Sequence, residues 1–159
     1  MNNNEPIWQQ HQFYMAKAIE LAEQAYDHGE IPVGAVVVQE NKIIGKGYNQ
    51  TQMLQDATAH AEMIALSAAF ELNGSKYLHG ATLYVSLEPC VMCAGALMWS
   101  KIDRLVFGAS DPKSGACGSL FNIHDDKKLN HRFEVIQGIL EADAEYLLKT
   151  FFAKKRTKG

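Results

Sequence analysis

Two short segments, far apart along the chain, carry side chains that one metal ion would bring together. The first is His60-Ala61-Glu62, and the second is Pro89-Cys90-Val91-Met92-Cys93. Imidazole and thiolate groups are preferred ligands of zinc, and two cysteines at positions i and i+3 of a helix face the same way. A fold that satisfies this pattern has to place the two segments side by side, which constrains the path of everything between them.

The two segments supply three good zinc ligands, His60, Cys90 and Cys93, and a carboxylate, Glu62, that need not bind the metal. Structural zinc sites usually have four protein ligands, whereas catalytic sites have three and hold water in the fourth position. Zinc lowers the pKa of such a water to roughly 7, so a nucleophile is available at neutral pH. We therefore interpret the zinc as catalytic and Glu62 as the group that moves protons.

Less specific interpretations of the same residues remain open. A Cys-x-x-Cys pair is also found at redox-active sites or simply buried. A structural zinc site would need a fourth ligand, for which His79 and Cys117 are the candidates. We expect Cys117 instead to be a small apolar filler.

Both segments are expected at the N-termini of helices. Thr58 can cap a helix that carries His60 and Glu62 in its first turn, and Pro89 suits the first position of a helix. Residues two apart lie roughly 200° apart around a helix, so His60 and Glu62 converge only near its end. The sequence thus predicts a metal in front of two helix N-termini, whose dipoles favour the thiolate form that zinc needs.

Apolar periodicity and turn residues divide the chain into alternating helices and strands. The expected elements are a helix from about 12 to 28, a hairpin with strands 33–38 and 42–49, the Thr58 helix, a strand 81–86, the Cys90 helix, a strand 104–109, a short helix around 118–123, a strand 133–137 and a last helix from about 141. Such alternation implies parallel strands flanked by helices. The predicted fold is α/β, a three-layer α/β/α sandwich around a mixed five-stranded sheet.

The length and composition fit one globular domain. The chain has 159 residues and no repeat or linker, so we expect a single domain over 1–159 that ends in a basic tail at 153–159. A net charge of −3 argues against broad, nonspecific nucleic-acid binding, so any such contact would be local. No charged start followed by a long apolar stretch occurs, and we expect neither a signal peptide nor a membrane span, and by default a cytoplasmic protein.

The order of ligands and carboxylate is the general signature of zinc-dependent nucleobase deaminases. Beyond it, the chain resembles the bacterial tRNA adenosine deaminases over nearly its whole length, in segments 32–36, 47–49, 58–62, 82–96, 107–111, 115–120 and 129–132. The zinc signature alone fits any cytosine, guanine or adenosine deaminase, whereas the segments around Asn49, Asp111 and 130–132 point to the tRNA branch. The resemblance implies the sandwich fold, a zinc cofactor, and conversion of adenosine to inosine at the wobble position of a tRNA anticodon loop.

The resemblance also implies contacts with the reacting nucleotide. Asn49 is expected to read the base edge, the backbone N–H of Ala61 to hold the base, and Asp111 to contact the nucleotide sugar and backbone. Lys113 is a candidate phosphate contact. Without the resemblance, Asn49 and Asp111 would be interpreted as turn residues.

The last helix offers a second set of candidate RNA contacts. Phe152, Lys155 and Arg156 place a ring beside cations, which suits a splayed RNA loop whose bases stack on rings and whose phosphates meet basic side chains. The alternatives are core packing for Phe152 and a solvated basic tail for the two cations.

The helix 93–99 is apolar over most of its circumference. Met92, Met98 and Trp99 provide more apolar surface than packing against one face of the sheet requires. We expect a homodimer through this region, which the resemblance also implies.

Two other functions are weighed against the tRNA deaminase. A small-molecule deaminase acting on guanine or cytidine would use the same metal chemistry in a closed pocket. A non-catalytic, zinc-stabilised RNA-binding module would bind RNA equally well without Glu62.

Overall fold

The computed structural model of the protein describes residues 5–157. Helices and strands alternate along most of this range, as the sequence predicts. In chain order they are α1 (Glu5–Asp27), β1 (Gly34–Gln39), β2 (Lys42–Tyr48), α2 (Thr51–Leu54), α3 (Ala61–Asn73), β3 (Thr82–Leu87), α4 (Val91–Trp99), β4 (Arg104–Ala109), a 3-10 turn (Ile123–Asp125), β5 (Glu134–Gln137) and α5 (Glu141–Thr157). No helix within residues 5–157 combines the length and the apolar character needed to cross a membrane.

The strands form one mixed sheet in the order β2-β1-β3-β4-β5. β1 is antiparallel to both β2 and β3, because the β1–β2 connection is a hairpin. β3, β4 and β5 are parallel, since each is followed or preceded by a crossover connection. The predicted mixed five-stranded sheet is confirmed.

Helices cover both faces of this sheet, and strand residues alternate between two cores. Leu83 and Val85 of β3 belong to the core beneath α3 and α4, whereas Tyr84 points into the opposite core, beneath α1. The last helix, α5, lies on the α1 face, where Phe151 packs its ring edge-on against Tyr26 at 5.9 Å. The result is the predicted α/β/α sandwich.

Close backbone packing sets the position of α3 against the hairpin. A Cβ added at Gly47 of β2 would collide with the carbonyl oxygen of Ala61, the first residue of α3. Glycine is therefore needed at this approach. The contact brings the end of β2, and Asn49 just after it, next to the start of α3.

Both metal-ligand helices begin later than the sequence predicts. His60 is the N-cap of α3, with φ −76° and ψ 152°, and Cys90 is the N-cap of α4, with φ −76° and ψ 178°. The expected cap, Thr58, instead donates its N–H and hydroxyl to Asp56 Oδ1, at 2.8 and 2.7 Å. Pro89 precedes the N-cap of α4 and is not its first residue. In each case the predicted helix start was wrong because the metal ligand itself occupies the cap position.

The C-terminal third also differs from the prediction in places. The short helix expected at 118–123 is absent from the described chain; Cys117 instead bridges to Asn122, and Gly118 has φ +140°, which a helix does not allow. The basic segment expected as a tail from residue 153 continues α5 as far as Thr157. Residues 158 and 159 of that segment lie outside the described range.

Candidate metal and active site

The start of α3 and the start of α4 bring His60, Cys90 and Cys93 together. Their ligand atoms all lie within 4.8 Å of one another. His60 Nδ1 is 3.7 Å from Cys90 Sγ and 3.6 Å from Cys93 Sγ. Tetrahedral zinc, with bonds of about 2.1 Å to nitrogen and 2.3 Å to sulfur, requires nitrogen–sulfur separations of about 3.6 Å. The three side chains therefore fit a zinc ion in both chemistry and spacing.

The electrostatics of the two thiols suit a cation. A hydrogen bond from Cys93 and, against the opposing effect of burial, one from His60 lower the pKa of Cys90 to about 3, so Cys90 is a thiolate at neutral pH. The neighbouring Cys90 sulfur, followed by burial, raises the pKa of Cys93. A divalent cation bound between the two sulfurs would displace that remaining proton.

The alternative fourth ligands do not join this group. Within residues 5–157, the cluster of potential metal ligands contains His60, Cys90 and Cys93 and no other His, Cys, Asp or Glu. His79 is exposed, and Cys117 is buried elsewhere in the core, where burial raises the pKa of its thiol to about 12. A protonated, buried thiol of this kind agrees with the expected role of Cys117 as an apolar filler.

Glu62, two residues after His60, is 4% exposed, and it lines a cavity that His60 and Cys90 also line. Burial raises the pKa of its carboxyl above the ordinary value for glutamate. A carboxyl group whose pKa is raised towards the operating pH both accepts and donates a proton more readily. The structure thus places a buried carboxyl group close to the metal ligands but outside the ligand cluster.

A cavity of about 280 Å³ opens in front of these residues. Its lining residues come from five parts of the chain: Ile31, Val33, Asn49, Thr51, His60, Ala61, Glu62, Leu87, Glu88, Cys90, Asp111 and Ser114. The mixture of apolar walls with a few polar groups is typical of a small-molecule binding site. Of the residues expected to bind the nucleotide, Asn49, Ala61 and Asp111 line this cavity, and Lys113 is exposed beside it.

Asn49 stands out among the lining residues because its amide is only half satisfied. The side chain is 6% exposed, and its Nδ2 donates a long hydrogen bond of 3.4 Å to the Ile31 carbonyl oxygen. Its Oδ1 is buried and has no hydrogen-bond partner. An unpartnered buried acceptor costs free energy, so a ligand that donates a hydrogen bond to it would be favoured.

Two buried glutamates at this site were missed by the sequence interpretation. Glu30 accepts hydrogen bonds from the first turn of α2, and Glu88 accepts several from the loop after β4. Burial alone would raise the pKa of Glu88, but the hydrogen bonds from Ser119, Asp111 and Cys117 outweigh it and lower the pKa. A signal was available for Glu88, which directly precedes Pro89 and the cysteines.

The candidate RNA contacts of α5 lie outside the cavity. Phe152 is 40% exposed, and Lys155 and Arg156 are exposed. Lys155 Nζ lies 5.4 Å above the ring of Phe151, and Lys154 Nζ lies 5.7 Å above that of Tyr26. The end of α5 therefore carries rings and cations on its surface, and it is held to the end of α1 by aromatic packing.

Known proteins are similar to this chain in both sequence and fold. Residues 8–109 match the model of the cytidine and deoxycytidylate deaminase zinc-binding region. The chain is 52% identical to the tRNA-specific adenosine deaminase of Haemophilus influenzae, over 89% of this chain and 83% of that protein. It is 44% identical to the tRNA-specific adenosine deaminase of Bacillus subtilis, over 94% and 92%.

Solved structures of deaminases also superpose on this chain. One, from a study of A-to-I editing by tRNA:A34 deaminases at the wobble position, superposes with a TM-score of 0.83 at 39% identity, covering 86% of this chain and 99% of that chain. A guanine deaminase from Nitrosomonas europaea superposes with a TM-score of 0.77 at 27% identity, covering 89% and 84%. The chain belongs to the zinc-binding cytidine and deoxycytidylate deaminase family and, within it, to the tRNA-specific adenosine deaminases.

Proposed function

We propose that this protein converts adenosine to inosine at the wobble position of a tRNA anticodon. The observation that carries the proposal is the buried carboxylate of Glu62 beside a three-ligand zinc site that opens into a cavity. The tRNA substrate is supported by the relatives at 44% and 52% identity, whose names describe tRNA-specific adenosine deaminases. The reacting base must be exposed in a loop, because extruding a base from a duplex costs a few kcal/mol.

Glu62 carries the proton transfers of this proposal. When bound, zinc supplies a water that is activated for attack at neutral pH. Glu62 takes one proton from that water and gives it to ring N1 as C6 becomes tetrahedral. It then takes the remaining proton from the new C6 hydroxyl and gives it to the amino group, which leaves as ammonia while C6 becomes a carbonyl. The products are inosine and ammonia. One carboxyl group serves in turn as base and acid, which its burial and raised pKa favour.

Two groups are proposed to orient the base. Ala61 is the first residue of α3, so its N–H has no partner within the helix and is available to a base acceptor. The Asn49 side chain supplies a second contact through its unpartnered Oδ1, which accepts a hydrogen bond from the base edge. Together they hold the ring with C6 towards the metal site.

The rest of the RNA is proposed to follow the exposed rings and cations. Asp111 contacts the nucleotide sugar and backbone at the cavity mouth, and Lys113 contacts a phosphate. Phe152 offers a partly exposed ring for stacking, and Lys155 and Arg156 offer positive charge to phosphates. These local contacts account for RNA binding by a protein with a net charge of −3.

We also propose a homodimer that acts in the cytoplasm, where tRNA is used. Val91 and Trp99 of α4 are exposed, Trp99 by 71%. They therefore present apolar surface to solvent on a helix that contains no charged residue. Trp99→Glu is expected to give a monomer by light scattering at micromolar concentration, whereas Trp8→Glu, at an exposed tryptophan on α1, leaves the mass unchanged. A wild-type protein of monomeric mass would contradict this part of the proposal.

The proposed activity is tested with tRNA that lacks inosine. Purified protein is incubated with total tRNA of this kind, and A-to-I changes are mapped by sequencing. Glu62→Gln is expected to retain zinc and lose at least about 100-fold in rate, as is typical when a general acid–base group is removed. Equal activity of Glu62→Gln would remove the proposed proton carrier.

Free bases and nucleosides provide the comparison with the small-molecule alternative. The fold likeness to the guanine deaminase of Nitrosomonas europaea makes guanine the first compound to test, followed by cytidine. Ammonia release from either one at a rate above that from tRNA would favour a small-molecule deaminase. RNA binding without any ammonia release would favour the non-catalytic module.

A further inference from the structure

Two buried glutamates that take no part in the proposed chemistry hold loops at the cavity mouth. Glu30 is 1% exposed and Glu88 is 3% exposed. Both oxygens of each carboxyl group accept backbone N–H groups, from α2 for Glu30 and from the loop after β4 for Glu88, and both segments contribute residues to the cavity lining. A buried carboxyl group is costly unless hydrogen bonds replace its lost hydration, so these bonds bind loop and glutamate to each other.

Glu30 supplies the N-terminal cap that α2 lacks. Its Oε1 accepts the Gln52 N–H at 2.9 Å, and its Oε2 accepts the Met53 N–H at 2.7 Å. The N-cap residue of α2 makes no side-chain cap bond, and a helix of four residues does not hold itself together. Asn49 and Thr51, which precede and begin this turn, line the cavity. Backbone bonds from Asn49 to Val33 and from Gln50 to Ala59 hold one side of that wall, and Glu30 holds the α2 side.

Glu88 organises the loop after β4 in the same way. Its Oε1 accepts the Asp111 N–H at 3.0 Å and the Ser119 hydroxyl, and its Oε2 accepts the N–H groups of Cys117 and Ser119 at 3.1 and 3.0 Å. These bonds join both ends of the 111–119 loop to the end of β3. Asp111 and Ser114 of this loop line the cavity.

We infer that Glu30 and Glu88 are positioning residues, each of which fixes one wall of the nucleotide cavity. Glu30 acts through Asn49, and Glu88 acts through Asp111. The inference rests on the proposed function, because Asn49 and Asp111 are contacts of the reacting nucleotide in that proposal. Misplacing such a contact by about 1 Å costs up to about 100-fold in rate.

The hydrogen bonds themselves are tested without any substrate. Glu30→Gln and Glu88→Gln keep the side-chain shape but turn an amino group towards a backbone donor. By amide hydrogen exchange on the zinc-loaded protein, Glu30→Gln is expected to speed exchange in 50–56 and leave 111–119 unchanged, and Glu88→Gln is expected to do the reverse. Faster exchange throughout the protein, or in neither loop, would overturn the inference.

Double-mutant cycles test the functional half. Deamination of an anticodon stem-loop RNA is measured under single-turnover conditions, with zinc content as a control. Each Gln variant alone is expected to lose about 10- to 100-fold. The loss from Glu30→Gln should shrink to less than about threefold in an Asn49→Ala background but persist in an Asp111→Ala background, because only interacting sites deviate from additivity. The loss from Glu88→Gln should show the opposite pattern.

Equal losses in matched and crossed backgrounds would mean that both glutamates only stabilise the fold, and the inference would be wrong. If a Gln variant does not fold, the Asp variant, which keeps the acid but withdraws it by one methylene, takes its place in both measurements. A wild-type protein that leaves the stem-loop RNA unchanged would count against the proposed function, while hydrogen exchange would still decide the role of the two glutamates.

Discussion

Gly115 packs directly against the carboxyl group of Glu88. A Cβ at position 115 would collide with both carboxylate oxygens, since Gly115 lies in the middle of the loop whose ends Glu88 binds. The absence of a side chain at this one position lets the loop close around the buried acid. Loop conformation and buried acid therefore depend on each other.

Gly115→Ala is expected to weaken both stability and activity. The added methyl group must displace the Glu88 carboxyl group or the loop, at a cost of about 1–3 kcal/mol in the free energy of unfolding. The displaced loop carries Asp111, so deamination should also fall while zinc content stays at the wild-type value. Urea unfolding and single-turnover deamination measure the two effects. An Ala variant as stable and active as the wild type would show that the loop is not held in this way.

Removal of zinc is expected to destabilise the protein as well as inactivate it. A ligand at 1,000 times its dissociation constant contributes about 4 kcal/mol to stability. At this chain length that corresponds to a fall of roughly 10 °C in the midpoint of thermal unfolding after chelation. Cys93→Ser should show the lower midpoint without chelator, whereas Glu62→Gln should respond to chelation like the wild type. An unchanged midpoint in chelated wild-type protein would contradict zinc binding by this cluster.

The sequence predicts the sheet better than it predicts the helix starts. The strand 104–109 has the predicted bounds because a run of apolar residues is flanked by polar ones on both sides. The start of α3 was predicted wrongly because Asp56, Thr58 and His60 lie close together, and propensity alone does not decide which of them ends the preceding turn. Tertiary contacts at the metal site decide it.

The metal ligands could be identified from the sequence because they lie in two local patterns with known chemistry. The roles of Glu30 and Glu88 could not be identified, even though Glu88 stands directly before Pro89 and the cysteines, since the backbone N–H groups that they bind lie 22 to 31 residues away along the chain. Backbone donors leave no mark in a sequence. The unpartnered Oδ1 of Asn49 is likewise visible only once the fold has buried it.

Loss of the basic end of α5 is expected to weaken RNA binding without altering the chemical step. Each phosphate contact of a single strand contributes about 0.7 to the slope of log affinity against log salt concentration. Lys155→Ala/Arg156→Ala should therefore lower the slope for tRNA by about 1.4, with unchanged rate at saturating RNA. Lys127→Ala/Lys128→Ala makes the same change of charge on an exposed loop and is the matched control. Equal slopes for the two double variants would place the RNA elsewhere.

Alkaline pH is expected to destabilise the fold through Tyr84. Its hydroxyl lies 2.8 Å from His11 Nδ1 in the core beneath α1, and burial raises the pKa of Tyr84 to about 12. Between pH 10 and 12 the unfolded chain has lost this proton while the folded chain retains it, so the free energy of unfolding falls with rising pH, by up to about 2–3 kcal/mol. Urea unfolding of the wild type and of Tyr84→Phe across this range should show a steeper decline for the wild type. Parallel declines would show that Tyr84 ionises in the folded protein as easily as in water.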